Sequence, residues 1–397
     1  MQRFGFACRA AALVVTAMAV IAAPVSAGAG ASRSGGLGRQ LRPLIRQVMH
    51  QNAIPGAVVL VQTPQGRYLE AFGTRVAGRR VPLHADDEFR VGSNTKTMTG
   101  TVILQLVQEG RLRLSDPVSR YLPDVPRGDR ITIADLMDMR SGIDTYSNLL
   151  WFNRALDRHP KKVWSPRRLV RVGLALPPVA RPGSRFFYSN TNTLMLGLII
   201  EKLTHQNLPR VFRERIFRPL HLQHTLLPAL TSNRIPGPHP HGYLFGTNVS
   251  TLRNPALPPR KQKLAIAGKL LPNDVTDDNP SWGWSAGAAI SNAPDLARYV
   301  RRLVAGGLID RRLQRERLRS IRSTDPGNPA AAEYGLAIAR FGPLIGHDGS
   351  LPGFQSFMGY DPDRRITIVV LCNLQFAPDG SGPANDLTMA IVGALYR

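Results

Sequence analysis

From Leu37 to Gln51 the apolar residues Leu41, Leu44, Ile45 and Val48 recur at three- and four-residue spacing, which predicts a helix with one buried face. Pro55-Gly56 breaks it. Two short apolar runs follow, Ala57–Gln62 and Tyr68–Phe72, and the turn Pro64-Gln65-Gly66 between them predicts a β-hairpin. The stretch Ser93–Glu109 has a different pattern. Met98, Val102, Ile103, Leu106 and Val107 place apolar side chains on several faces before Gly110, so this helix is expected to be buried on most sides. Further helices are predicted over 132–139, 166–174, 191–204 and 209–216. Residues 226–283, rich in Pro, His and Asn with weak periodicity, are predicted to form a long irregular excursion. Ser291 is expected to cap a helix that runs to Val304 and stops at Gly306-Gly307. Tyr334–Phe341, Gln355–Tyr360 and Ile366–Leu371 read as strands, and Leu387–Tyr396 closes the chain as an apolar helix.

Strands therefore lie at both ends of the sequence, with helices between them. This predicts one α/β domain built from both chain ends, about 37–92 and 285–397. A mostly helical insert over about 93–284 would leave a cleft where the two parts meet.

Ahead of that domain, Arg3 and Arg9 flank the start of an almost purely apolar run, Ala10–Ala23, followed by Pro24 and Val25-Ser26-Ala27. Residues 1–27 are predicted to be a secretory signal peptide, with an uncleaved anchor as the alternative. Residues 28–36, rich in Gly, Ala and Ser, are predicted to be a flexible mature N-terminus. The expectation is a secreted or extracytoplasmic, cell-envelope protein with no stable membrane span after signal cleavage. Loss of Cys8 with the signal leaves only Cys372, so no internal disulfide can form and a buried, inert thiol is expected. The formal net charge is +24, mostly from arginine spread through the chain. With an export signal and no aromatic-plus-basic motif, an anionic cell envelope is the expected partner and nucleic acid is not.

Three segments carry chemistry. In Ser93-Asn94-Thr95-Lys96, residues three apart share a helix face, so the lysine amine can reach the serine hydroxyl. A serine needs a base to become nucleophilic, and a lysine in an apolar site can supply one. In Tyr188-Ser189-Asn190, two alternate side chains point the same way: a phenol able to relay protons and an amide able to hold a carbonyl. In Gly346-His347-Asp348-Gly349-Ser350, between predicted strands, His347 offers a donor, and the bare backbone of Gly349 lets a substrate lie along a strand edge. His239 and His241, with Asp274, Asp277 and Asp278 downstream, lack fixed ligand spacing, so neither a metal nor any other cofactor is expected.

In order and spacing, these segments resemble the penicillin-recognising serine hydrolases, specifically the class C β-lactamase and D-alanyl-D-alanine carboxypeptidase branch with its Ser-x-x-Lys, Tyr-x-Asn and Lys/His-x-Gly motifs. The resemblance runs from about residue 40 to 395 and takes in Ser141-Gly142, Ser285-Ala286-Gly287 and Leu351-Pro352-Gly353-Phe354. It implies the β-lactamase/transpeptidase-like fold, a central antiparallel sheet flanked by helices. It also implies an acyl-enzyme on Ser93, with Lys96 and Tyr188 managing its proton and Asn190 holding the substrate amide. His347 would face the leaving group or substrate carboxylate, and the amides of Ser93 and Ser350 would form an oxyanion hole. Arg340 is a candidate for binding a terminal carboxylate. The activity implied is that of a D-alanyl-D-alanine carboxypeptidase on cell-envelope peptides. The alternatives are an esterase or weak β-lactamase with the same site, or a non-catalytic penicillin-binding scaffold. The substrate is expected to be a small peptide, ester or β-lactam. Asp348, where Thr or Gly is common in the family, departs from the pattern: its side chain either repels a substrate carboxylate or points away from the cleft.

Overall fold

In the computed structural model, which describes residues 33–328 and 331–396, the chain opens on helix α1 (Arg33–Gln51). The expected signal peptide and residues 28–32 lie outside the described residues, while 33–36 form the first turn of α1. The hairpin follows as β1 (Gly56–Thr63) and β2 (Gly66–Gly73). The helices that position the site are α2 (Asn94–Gln108), α3 (Leu150–Arg158), α4 (Asn190–Thr204), α5 (Trp284–Gly287), α6 (Ala293–Ala305) and α7 (Arg311–Arg319). The remaining strands of the large sheet are β3 (Arg322–Ser323), β4 (Glu333–Gly335), β5 (Ile338–Phe341), β6 (Leu344–Leu351), β7 (Phe354–Asp361) and β8 (Ile366–Cys372). Helix α8 (Pro383–Leu395) ends the fold.

One antiparallel sheet of eight strands, in the order β2-β1-β8-β7-β6-β5-β4-β3, joins the two chain ends. Its junction is the β1–β8 pair, registered from Ala57↔Cys372 to Gln62↔Thr367. Both strands are buried on both faces because successive side chains enter different cores. Val58 and Leu60 pack in the core that α6 shares, whereas Ala57, Val59 and Val61 pack with α1 and α8. Each of these valines and Leu60 contributes roughly 1.5–3 kcal/mol through removal from water. Cys372 ends β8 buried, and burial pushes its thiol well above the usual range.

The sheet also prepares a site. Residues Ile345–Leu351 of β6 pair with β7, but only Leu344–Gly346 pair with β5. The half of β6 from His347 to Leu351 is therefore a free edge, and the N-terminus of α2 stands against it. Five features differ from the expected pattern. The His-Asp-Gly segment lies inside strand β6, not between strands. The run 334–341 is two strands, β4 and β5, turned at Ala337 with φ +52°. The cap of α6 is Asn292, whose side chain accepts from the Asp295 amide, because Ser291 is held in a bridge to Phe89. Helices α3 and α7 were not expected. The excursion over 226–283 contains two short helices, Asn248–Arg253 and Pro259–Ile266, and the Tyr243 amide ties it to the Gly353 and Asn373 carbonyls. Among the described residues, no helix is long and apolar enough to cross a membrane.

Candidate active site

Ser93 occupies the N-cap position of α2, but its hydroxyl makes no capping bond. The turn before it is held rigidly. Ser356 on β7 donates to the Val91 carbonyl (2.8 Å), Asn94 donates to Ser356 (2.7 Å), and Thr95 donates to the Gly92 carbonyl (2.7 Å). Gly92 takes φ +52°, and a Cβ there would come within 2.7 Å of the Ser350 amide nitrogen. A Cβ at Gly349 would strike the Val91 carbonyl and come within 2.9 Å of the Ser93 amide nitrogen. Only two glycines let these backbones approach so closely, and the approach sets the amides of Ser93 and Ser350 beside each other at the strand edge.

Lys96, one turn along α2, is fully buried. Its Nζ lies 2.9 Å from Ser93 Oγ, 2.8 Å from Asn190 Oδ1 and 2.8 Å from the Ala286 carbonyl oxygen. Burial pushes its amine down to about 7, opposed only by the charge of Asp348. A neutral lysine has two N–H donors and one lone pair. With the donors on Asn190 and Ala286, the lone pair faces the Ser93 hydroxyl, which is the arrangement a general base requires. Behind α2, the buried Arg317 donates to Thr101 Oγ1 (3.0 Å) and to the Thr97 and Ala337 carbonyls (3.3 and 3.2 Å), bracing the helix against the turn between β4 and β5.

Tyr188 packs against Lys96 and stands near enough to Ser93 for that side chain to act on its phenol. Lys96 Nζ is 4.8 Å from its ring centroid. Burial, helped by Tyr334, raises the phenol well above its usual range, so it remains protonated and can donate. Asn190 Nδ2 donates to Ser147 Oγ (3.0 Å), so both ends of this amide are anchored. A second Tyr-x-Asn triplet, Tyr146-Ser147-Asn148, lies close by. Its tyrosine is fully buried and donates to the Trp282 carbonyl (2.5 Å), which leaves Tyr188 as the phenol at the nucleophile.

His347 is 2 % exposed and has a partner on each nitrogen. Its Nδ1–H donates to the Asp348 carbonyl oxygen (2.6 Å), and its Nε2 accepts from the Tyr334 hydroxyl (3.2 Å). The Asp348 carboxylate lies 3.5 Å from Nδ1 and accepts from Asn385 at the start of α8 (3.1 Å). Burial opposes its charge, yet the bonds from His347 and Asn385 hold it below the usual carboxylate range.

The structure thus brings together Ser93, Lys96, Tyr188, Asn190, His347, Gly349 and Ser350. It does not bring Arg340 to them: that guanidinium donates to Glu333 (3.2 Å) on the neighbouring strand. Tyr334, Asn385, Ser147 and the Ala286 carbonyl belong to the site and were not anticipated, although Ser285-Ala286-Gly287 had stood out as a stretch. His241 pairs with Asp274 (2.6 Å), and among the described residues no group of three or more His, Cys, Asp or Glu could hold a metal.

The chain is similar to several known proteins. A profile of the beta-lactamase family matches residues 41–392. Protein flp of Staphylococcus aureus (strain MRSA252) is 25% identical over 355 residues, which cover 85% of this chain and 63% of that protein. Penicillin-binding protein 4* of Bacillus subtilis (strain 168) is 24% identical over 342 residues, 84% of this chain and 71% of that one. The chain therefore spans less than two thirds of the length of flp. A D-stereospecific amidohydrolase from Streptomyces sp. superposes with a TM-score of 0.73 at 28% identity, covering 91% of this chain and 98% of that one.

Proposed function

The chain belongs to the beta-lactamase family, and from that premise we propose that it is an exported serine amidohydrolase acting through an acyl-enzyme on Ser93. Its substrates would be amide bonds with a D-configured residue on the acyl side, the kind found in D-alanine-containing envelope peptides. The observation that carries this reading is the buried Lys96 amine at 2.9 Å from Ser93 Oγ, with its two other bonds fixed. The D-configuration is supported by the likeness to the D-stereospecific amidohydrolase. Export is supported by the signal-like pattern of residues 1–27.

The steps follow from the positions. Lys96 takes the Ser93 proton as Oγ attacks the substrate carbonyl, and the resulting oxyanion meets the amides of Ser93 and Ser350 beside the α2 N-terminus. Tyr188 gives a proton to the departing amine as the C–N bond breaks, and it is reprotonated from Lys96. Water then cleaves the ester by the reverse roles. The test is stereochemical. A D-alanyl p-nitroanilide should be hydrolysed on the order of 100-fold faster than its L-enantiomer. Equal rates would overturn the D-specific reading. Cleavage of short activated esters alone would favour an esterase.

Asp348 narrows the leaving group. A carboxypeptidase needs a free donor for the terminal carboxylate, but the Nδ1–H of His347 is held by Asp348 and a carboxylate already lies 3.5 Å away. Like-charge repulsion from that group disfavours a second carboxylate held at His347. The site therefore suits neutral leaving groups such as amides better than free D-alanine. Asp348→Asn is expected to raise kcat/KM for a peptide ending in D-alanyl-D-alanine about tenfold relative to its C-terminal amide. An unchanged ratio would refute this role for Asp348.

A further inference from the structure

Away from the cleft, α6 runs beside β1 and β7, and a groove of about 640 Å³ opens between them. That volume falls in the range of small-ligand sites. Arg298, Arg301 and Arg302 line it from the helix and Arg67 from β2, with Gln62 and Tyr360 at the sheet and no carboxylate in the lining. Arg298 donates to the Leu220 and His221 carbonyls (3.3 and 2.6 Å). Among the described residues, the guanidinium groups of Arg67, Arg301 and Arg302 have no hydrogen-bond or ion-pair partner. Other arginines of this chain do find acids: Arg42 pairs with Glu70 at 2.9 Å and Arg210 with Glu214 at 2.8 Å. Four guanidinium groups around one concavity repel each other until an anion enters.

We propose that this groove binds a linear polyanion bearing phosphate groups, separately from catalysis. A guanidinium fork matches phosphate bidentately. The two walls, Arg67 on one side and three arginines on the other, suit a chain lying between them; a flat membrane surface meets only the rims. The groove is distinct from the active site. Tyr360 stands four residues beyond Ser356 on β7, roughly 13 Å along the strand. Holding the hydrolase on such a polymer would raise the local concentration of substrate attached to it.

The test is binding of fluorescently labelled polyphosphate to the mature protein, compared between wild type, Arg67→Ser/Arg301→Ser/Arg302→Ser and a control. The control, Arg260→Ser/Lys261→Ser/Lys263→Ser, removes the same charge from an exposed helix. The groove variant should lose at least about tenfold in affinity, and the slope of log K against log salt should fall by about 3. The control should stay near wild type, and all three proteins should hydrolyse a small neutral amide equally. Equal losses in both variants would reduce the effect to net charge and overturn the proposal. No polyphosphate binding by wild type would do the same, as would binding only to phosphatidylglycerol vesicles.

Discussion

Ser93→Ala will lower kcat/KM by roughly 10⁵-fold or more while leaving the fold in place. As the proposed nucleophile, Ser93 is the one group for which the site has no substitute, because Tyr188 remains a protonated phenol and Cys372 is buried in β8 as a thiol. The structural cost is small. The Ser93 hydroxyl caps nothing in α2, and the turn is held by Asn94, Thr95 and Ser356 instead. Thermal midpoints of wild type and variant should therefore agree within a few degrees. Activity within tenfold of wild type, measured on the D-alanyl p-nitroanilide with a matched fold, would remove Ser93 from the mechanism.

Lys96→Met should cost roughly 10³–10⁴-fold and also change the pH profile. With its amine pushed down to about 7 by burial, Lys96 is charged below that pH and has no lone pair for the Ser93 proton. The acylation rate of wild type should therefore rise with pH, reach half its limit near 7, and level off above. In Lys96→Met that limb should vanish along with most of the rate. A limb that persists in the variant would transfer the base role to another group. Stability follows the same titration. A folded value of about 7 against the ordinary 10.5 means that the unfolded chain binds more protons between those pH values. Lys96 therefore makes the protein more stable as pH rises through that window, with its full penalty present below 7.

The two substitutions touch the part of the molecule that was most legible in the sequence. Ser93 and Lys96 are linked by helix geometry over three residues, and the hydrophobic surroundings of α2 show in Met98, Val102 and Ile103. Sheet strands β1 and β8 were legible because they are apolar runs. Strand β6 was not, because Gly346, His347, Asp348 and Gly349 fill its centre; they are there for close backbone approach and chemistry, against strand propensity. Helix α7 was hidden for a related reason. Of its nine residues, Leu313, Gln314 and Arg317 are buried, so the side chain that reaches α2 is a charged one. Tyr-x-Asn occurs twice, at Tyr146 and Tyr188, and only the fold separates the phenol bonded to the Trp282 carbonyl from the one at Ser93. Ala286 contributes a carbonyl, which side-chain patterns cannot reveal. Tyr334 and Asn385 come to His347 and Asp348 from distant strand and helix positions. Arg340 shows the converse: it lies on the strand before the motif, yet Glu333 holds it away from the site.

The most direct test of the acyl-enzyme is intact mass of the protein, acid-quenched during turnover of a D-alanyl p-nitrophenyl ester. Acylation of such an ester is fast, so the intermediate accumulates before water releases it. Wild type should gain one D-alanyl group, mapped to the peptide that contains Ser93, and Ser93→Ala should gain none. An adduct of equal extent on both proteins, or one mapped to another residue, would contradict the account.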